Sequence, residues 1–171
     1  PWVESLLIND IQDIDKLKPL RVADHSRLVS RIDEIIYYKK MVGDSQFICG
    51  WVEGPLAEYC DLRDLSAAFV DFYEHPEAMK RALNVITENA MLFLEAQIKA
   101  GAHCIGIGDA VCSLVSPDLY SEFIFPLEKM LVEHAHMLGA RVKLHICGNT
   151  SAILPEMILT GADIVDIDHL V

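Results

Sequence analysis

Leu138-Gly139-Ala140-Arg141-Val142-Lys143-Leu144-His145-Ile146-Cys147-Gly148-Asn149-Thr150 decides both the fold and where its chemistry should be sought. Gly139 follows a helical apolar pattern and suits the C′ position that ends a helix. Arg141 to Leu144 has strand character, and Gly148-Asn149-Thr150 turns the chain into a further helix. Side chains two apart on a strand share a face, so His145 and Cys147 are expected to project together from the strand's carboxyl end. In α/β folds that end is where ligands bind.

The same junction recurs on either side of this stretch. Ala100-Gly101-Ala102 precedes His103-Cys104-Ile105-Gly106-Ile107, and Thr160-Gly161-Ala162 precedes Asp163-Ile164-Val165-Asp166-Ile167. An earlier strand, Gln46 to Val52, ends in Glu53-Gly54-Pro55. Apolar spacing places helices over Trp2 to Leu20, Ser26 to Met41, Asp61 to Tyr73, Pro76 to about Lys99, Ser116 to Met137 and Thr150 to Leu159. In the last of these, Pro155 either kinks the helix or marks its true start. Alternating strands and helices imply a parallel sheet with right-handed crossovers. The expected fold class is α/β, a fragment of a (β/α)8 barrel with about four parallel strands and flanking helices. The alternative is an open doubly wound sheet. Because the last strand has no helix after it, residues 1–171 are expected to be a single partial domain, with N-terminal and C-terminal parts outside it. Such an arc leaves two sheet edges and an apolar face open, so it is expected to self-associate and to be inactive alone.

With 52% hydrophobic residues in 171, the chain can bury a sizeable core. A formal charge of -12 argues against a nucleic-acid surface, which depends on clustered Lys and Arg. No apolar run is long enough to span a membrane. The 5 cysteines are odd in number and scattered, which fits a reducing, cytoplasmic setting better than a disulfide framework.

His145 and Cys147 are imidazole and thiolate ligands of the kind zinc accepts, and a catalytic zinc site needs a third protein ligand from elsewhere. The plainer alternative is a core cysteine beside a histidine that satisfies a local hydrogen bond. Glu53 and Asp109 end neighbouring strands on the same rim, where each can orient substrate, act as acid or base, or merely cap a turn. Trp51 either walls the pocket or is core. Cys49 and Cys104 read as core, Cys112 as a loop residue, His103 as structural, and His134 and His136 as solvated residues of a helix end.

Gly50-Trp51-Val52-Glu53-Gly54-Pro55 with Asp61-Leu62-Arg63, Ser116-Pro117-Asp118-Leu119-Tyr120 with Phe123 and Pro126, and His145-Ile146-Cys147-Gly148-Asn149-Thr150 together resemble the uroporphyrinogen decarboxylase superfamily. That superfamily also contains methyltransferases that pass a methyl group from a corrinoid to a thiol. His-x-Cys-Gly is similar to the zinc motif of the methyltransferase branch, in which a later cysteine completes the site. The resemblance implies zinc on His145 and Cys147, a methylcobalamin or corrinoid donor carried on a partner corrinoid protein, and a small thiol acceptor. Trp51 and Asn149 are the residues it suggests for cofactor contact, with Glu53 and Asp109 as catalytic groups. No cysteine follows Cys147. The third ligand is therefore expected beyond Val171; within the chain, the strand end Asp166-Ile167-Asp168-His169 could supply an acidic or imidazole ligand, with Asp168 as the candidate taken from it. Two further readings remain: a metal-free tetrapyrrole decarboxylase, whose arginine-rich substrate motif is absent from this chain, and a non-catalytic fragment.

Overall fold

The computed structural model describes residues 5–169 and residue 171. In chain order the elements are α1 Ser26–Val42, β1 Cys49–Glu53, α2 Pro55–Arg63, α3 Leu65–Glu74, α4 Pro76–Ala100, β2 Cys104–Gly108, α5 Pro117–Leu119, α6 Phe125–Met137, β3 Arg141–Ile146, α7 Leu154–Leu159 and β4 Ile164–Ile167. The strands form one parallel sheet in the order β1-β2-β3-β4. Gly101 and Gly139 sit past their helices with φ of 115° and 82°, and Gly161 has 85°, so each junction uses a conformation that L side chains rarely adopt.

Register divides the sheet into two chemically distinct faces. Val52, Ile107 and Leu144 stand in line and are buried, with Val165 half-buried beside them. Their face packs beneath the helices, where Leu83, Leu94, Leu131 and Val132 are also buried. The alternate positions form two rows on the other face. One is Trp51, Gly106, Lys143 and Ile164; the other, at the carboxyl rim, is Glu53, Gly108, His145 and Asp166. A Cβ on Gly106 or Gly108 would stand 2.3 or 2.4 Å from the Trp51 ring, so the glycines let the indole lie flat across β2.

Several helices differ from their sequence reading. Within the first expected helix, Trp2 lies outside the described residues. Residues 3–4 lie outside them as well, and the described part is helical only in a 3₁₀ segment, Ile11–Lys16, capped reciprocally by Asp10 and Asp13. Helix α1 buries only Ile35, with Ile36 half exposed, because it packs against α4 and lies outside the sheet. The helix expected from Asp61 to Tyr73 is two helices. Pro55 starts α2, and Asp64, at φ 85°, ends it while its carboxylate accepts from Ser66 N and Ala67 N to start α3. The helix expected from Ser116 to Met137 widens into a π turn at Tyr120–Ile124, where Phe125 N donates to Tyr120 O. Pro126 has no N–H to continue the regular ladder, and the wider turn accommodates it. Pro155 lies in the first turn of α7 and so marks its start.

The β1 edge is partly closed from within the chain. Gly54 N donates to Gly108 O and Cys104 N to Ile48 O, so even-numbered residues of this segment face β2. Trp51 therefore turns its N–H and C=O toward the edge, where Gln97 Oε1 accepts the first at 2.9 Å and Gln97 Nε2 donates to the second at 3.0 Å. Gln97 is itself buried, and Gly50 leaves it room, since a Cβ there would lie 2.6 Å from Gln97 Oε1. Replacing this amide by a similar apolar volume, Gln97→Leu, orphans two backbone groups and is expected to cost about 2–4 kcal/mol. Urea unfolding should show a lower midpoint with an unchanged slope; an unchanged midpoint would mean that the clasp contributes nothing.

Candidate active site at the carboxyl rim

Parallel pairing brings Glu53, His145 and Asp166 to the same level of the sheet, with Asp109 and Cys147 one step beyond β2 and β3. Trp51 joins them from below. Its Nε1 donates to Glu53 Oε1 at 3.2 Å, and its ring centre lies 6.2 Å from that of His145. Lys143 Nζ stands 5.7 Å over the indole and donates to Asp166 Oδ2 at 2.9 Å. That bond, followed by the charge of Lys143 and the nearby imidazole, holds the Asp166 carboxyl below its usual range.

His145 stands at this rim with one ring nitrogen unsatisfied, as is the buried Thr150 hydroxyl a few residues on. Its Nδ1 is buried without a hydrogen-bond partner, although Asp166 Oδ2 lies 3.3 Å away. A carboxylate beside one ring nitrogen is the arrangement that fixes the tautomer and leaves the other nitrogen to a metal. Cys147 is a free, half-buried thiol on the next outward position. Gly148, at φ 90°, carries the chain past Ser113, whose Oγ would lie 2.8 Å from a Cβ there. The donor set fits zinc, and His145 and Cys147 are the two residues that would hold it.

Asp168 does not complete this pair. Its Oδ2 accepts from Gly148 N at 3.2 Å and its Oδ1 from His169 N at 2.7 Å, so the carboxylate closes the turn after β4. Among the described residues, the ligand atoms that gather in a group of three belong to Asp109, Cys112 and Glu128 instead. Asn149 is exposed and its Oδ1 accepts from Ser151 N at 3.1 Å, which makes it a turn residue in this structure.

Asp109 sits at the expected strand end but is enclosed. Its carboxylate accepts from Leu56 N at 3.2 Å and Ala57 N at 2.7 Å, capping α2 from a neighbouring strand, and Gly54 leaves the space it fills. Burial pushes this carboxyl up to about 7 against those two bonds. Cys112, expected to be a loop residue, is buried beside it in the 3₁₀ turn Ala110–Leu114. Its thiol donates to Glu128 Oε1 at 3.9 Å, and the Tyr120 hydroxyl donates to the other oxygen of the same carboxyl. Burial, then the Asp109 charge, raises Glu128 well above its usual range. The cluster therefore stores protons under the rim. Glu58, half-buried on α2, is likewise raised, first by burial and then by Asp61 and Glu53.

Sequence reading reached Asp166 only as part of a strand end that could supply a ligand, and passed over Lys143, Glu58 and Glu128. Glu128 carried a usable signal, since Ile124, Leu127, Leu131 and Ala135 around it on the helix are all buried. The histidines resolve simply. His103 Nδ1 accepts from Ile48 N, while His134 pairs with Glu95 and His136 with Asp163, so the latter two are bonded to acids and not merely solvated.

Comparison with known proteins places this geometry in context. The family model described as uroporphyrinogen decarboxylase (URO-D) matches residues 1–171. A methylcobamide:CoM methyltransferase, MtaA, from Methanosarcina barkeri is 28% identical over 153 residues, covering 88% of this chain and 44% of the relative. A uroporphyrinogen decarboxylase from Prochlorococcus marinus (strain NATL1A) is 28% identical over 176 residues, covering 96% of this chain and 49% of the relative. A solved methyltransferase from Methanosarcina mazei superposes with a TM-score of 0.72 and 28% identity over 77% of this chain and 39% of its own. The chain thus spans about half the length of the curated relatives it matches. The four strands are an arc of a (β/α)8 barrel. No helix among the described residues is long and apolar enough to cross a membrane.

The raised Asp109 carboxyl has a definite sign in stability. An unfolded Asp ionises near 3.8, whereas the native group holds its proton to about 7. Between those values the native state binds more protons, so this residue's contribution to stability falls as pH rises through that window. Asp109→Asn should flatten that part of the curve when unfolding is measured from pH 4 to pH 7 against the parent protein. Parallel curves for the two proteins would refute the assignment.

Proposed function

Because the chain belongs to the uroporphyrinogen decarboxylase (URO-D) family, which it matches along its whole length, we propose that it supplies the metal-holding arc of a methyltransferase acting between a methylated corrinoid and a small thiol. The observation that carries this reading is the His145–Cys147 pair at the barrel rim, with the buried Nδ1 of His145 facing the Asp166 carboxylate. The methylcobamide:CoM methyltransferases among its relatives supply the substrate classes.

Zinc, when bound, would lower the proton affinity of the acceptor thiol so that it is a thiolate near neutral pH. His145 and Cys147 would hold the metal, and a third ligand would come from outside the described residues. Asp166 orients the His145 ring and is itself fixed by Lys143. Glu53, held by the Trp51 Nε1 bond, stands at the rim where it can take up the thiol proton. Trp51 walls the floor of the site, and its Nε1 bond positions Glu53. The donor corrinoid would arrive on a partner protein, docking over the same rim.

Elemental analysis and a methyl-transfer assay test this together. Purified full-length protein is expected to carry zinc, and His145→Ala or Cys147→Ala in it should lose most of the metal along with thiol methylation while keeping the circular dichroism spectrum. Asp166→Ala should weaken zinc affinity by about 10–100-fold, the range for a partner behind a ligating histidine. Protein that holds no zinc, transfers no methyl group and instead decarboxylates a tetrapyrrole would sink the proposal.

A further inference from the structure

A second pair of reactive side chains stands at the opposite end of the sheet. Cys49 is the first residue of β1 and Cys104 the first of β2, and the two are direct partners in the parallel register. Paired residues on neighbouring strands point to the same face, and their Cα atoms lie about 4.8 Å apart, inside the range of roughly 4.4–6.8 Å that a disulfide spans. Their surroundings differ sharply. Cys49 is exposed, although an apolar core position was expected for it, whereas Cys104 is 1% exposed. On this arc of the sheet, Cys49 is thus the thiol of the pair that a reagent in solution meets first.

We propose that Cys49 and Cys104 form a thiol–disulfide exchange site for low-molecular-weight disulfides, with Cys49 as the attacking thiol and Cys104 as the resolving one. Cys49 has the electronic character of an attacking group. In its protonated form it donates to Gly50 O at 3.3 Å. The Cys104 thiol beside it favours the thiolate and pulls Cys49 down to about 6; partial burial opposes the shift, while Lys143 and the Gly106 amide reinforce it. A thiol ionised near neutral pH is the reactive form in exchange. Cys104 is pushed the other way, by its bond to Cys49, by burial and by the neighbouring thiolate. It stays protonated until a partner sulfur is delivered to it.

The exchange balances in two steps. The Cys49 thiolate attacks one sulfur of the small disulfide, forming a mixed disulfide and releasing one small thiolate, which takes a proton from solvent. Cys104 then loses its proton to solvent and attacks the Cys49 sulfur. The S–S bond of the mixed disulfide breaks, the second small thiol leaves, and a Cys49–Cys104 bond ties β1 to β2. Two protein thiols are oxidised and one small disulfide is reduced to two thiols. This site lies below the Trp51 row and away from His145 and Cys147, so it is independent of the metal reading.

Oxidised glutathione at neutral pH is the probe, read by mass spectrometry of non-reduced peptides. The expected product is a peptide pair linked through Cys49 and Cys104, restored to free thiols by dithiothreitol. In Cys104→Ser the glutathione adduct should persist on Cys49. Cys104→Ala serves the same purpose if serine at a buried position unfolds the chain. In Cys49→Ser the modification of Cys104 should slow by at least about tenfold, since the low-pKa, accessible thiol is gone. Circular dichroism checks that each variant is folded. The proposal is overturned if the parent protein accumulates a stable adduct on Cys49 with Cys104 free, if the linked species joins Cys49 of two copies, or if Cys147 alone reacts.

Discussion

Four parallel strands held in one register are the constraint on which the rest of this structure depends. Because β1 to β4 pair without offset, residues far apart in sequence fall into lateral rows: Glu53, Gly108, His145 and Asp166 at the rim, and Trp51, Gly106, Lys143 and Ile164 beneath. A slip of one residue in any strand would turn its polar members into the helix-packed core and its Val, Ile or Leu outward. Burial of Val52, Ile107 and Leu144 therefore enforces the placement of the chemistry, even though none of these residues takes part in it.

Small residues make room for the groups that matter. Gly106 and Gly108 admit the Trp51 ring, Gly50 admits Gln97, Gly54 admits the Asp109 carboxylate and Gly148 passes Ser113. Each is a place where backbone and a large or polar side chain approach closely. Trp51 gains most from this: it lies on two glycines, receives the Lys143 cation above it and hands a hydrogen bond to Glu53. One indole thereby couples the middle row of the sheet to its rim.

Beneath the rim, the protein keeps acids where it cannot keep charge. Asp109, Cys112, Tyr120 and Glu128 are all fully buried; Cys112 and Tyr120 donate to Glu128, while Asp109 accepts from the backbone of α2, so each polar group finds a partner. The arrangement joins α2, the segment after β2, the π turn and α6, so that acids on separate elements are satisfied only when all of them are docked. Arg63 and Asp71 instead form a buried ion pair between α2 and α3, where the Tyr59 hydroxyl donates to the same carboxylate at 2.7 Å.

Much of the framework was legible in the chain itself. The recurring Gly-Ala junctions mark where helices end and strands begin, because glycine alone enters a positive φ without strain, and the H-x-C spacing places both side chains on one face because a strand has period two. Local rules also explain the misreadings. Asp64 splits a helix by capping with its own side chain, and Pro126 forces a π turn, yet periodicity registers neither. An α/β chain with parallel strands, and a histidine and a cysteine on one face of a strand end, thus follow from backbone sterics and side-chain alternation within a few residues. Only the tertiary structure decided that Asp166 stands behind His145, that Asp168 closes a turn, that Asp109 is a buried cap, and that Cys49 faces Cys104. Those outcomes depend on lateral register and burial between segments tens of residues apart, which no local spacing encodes.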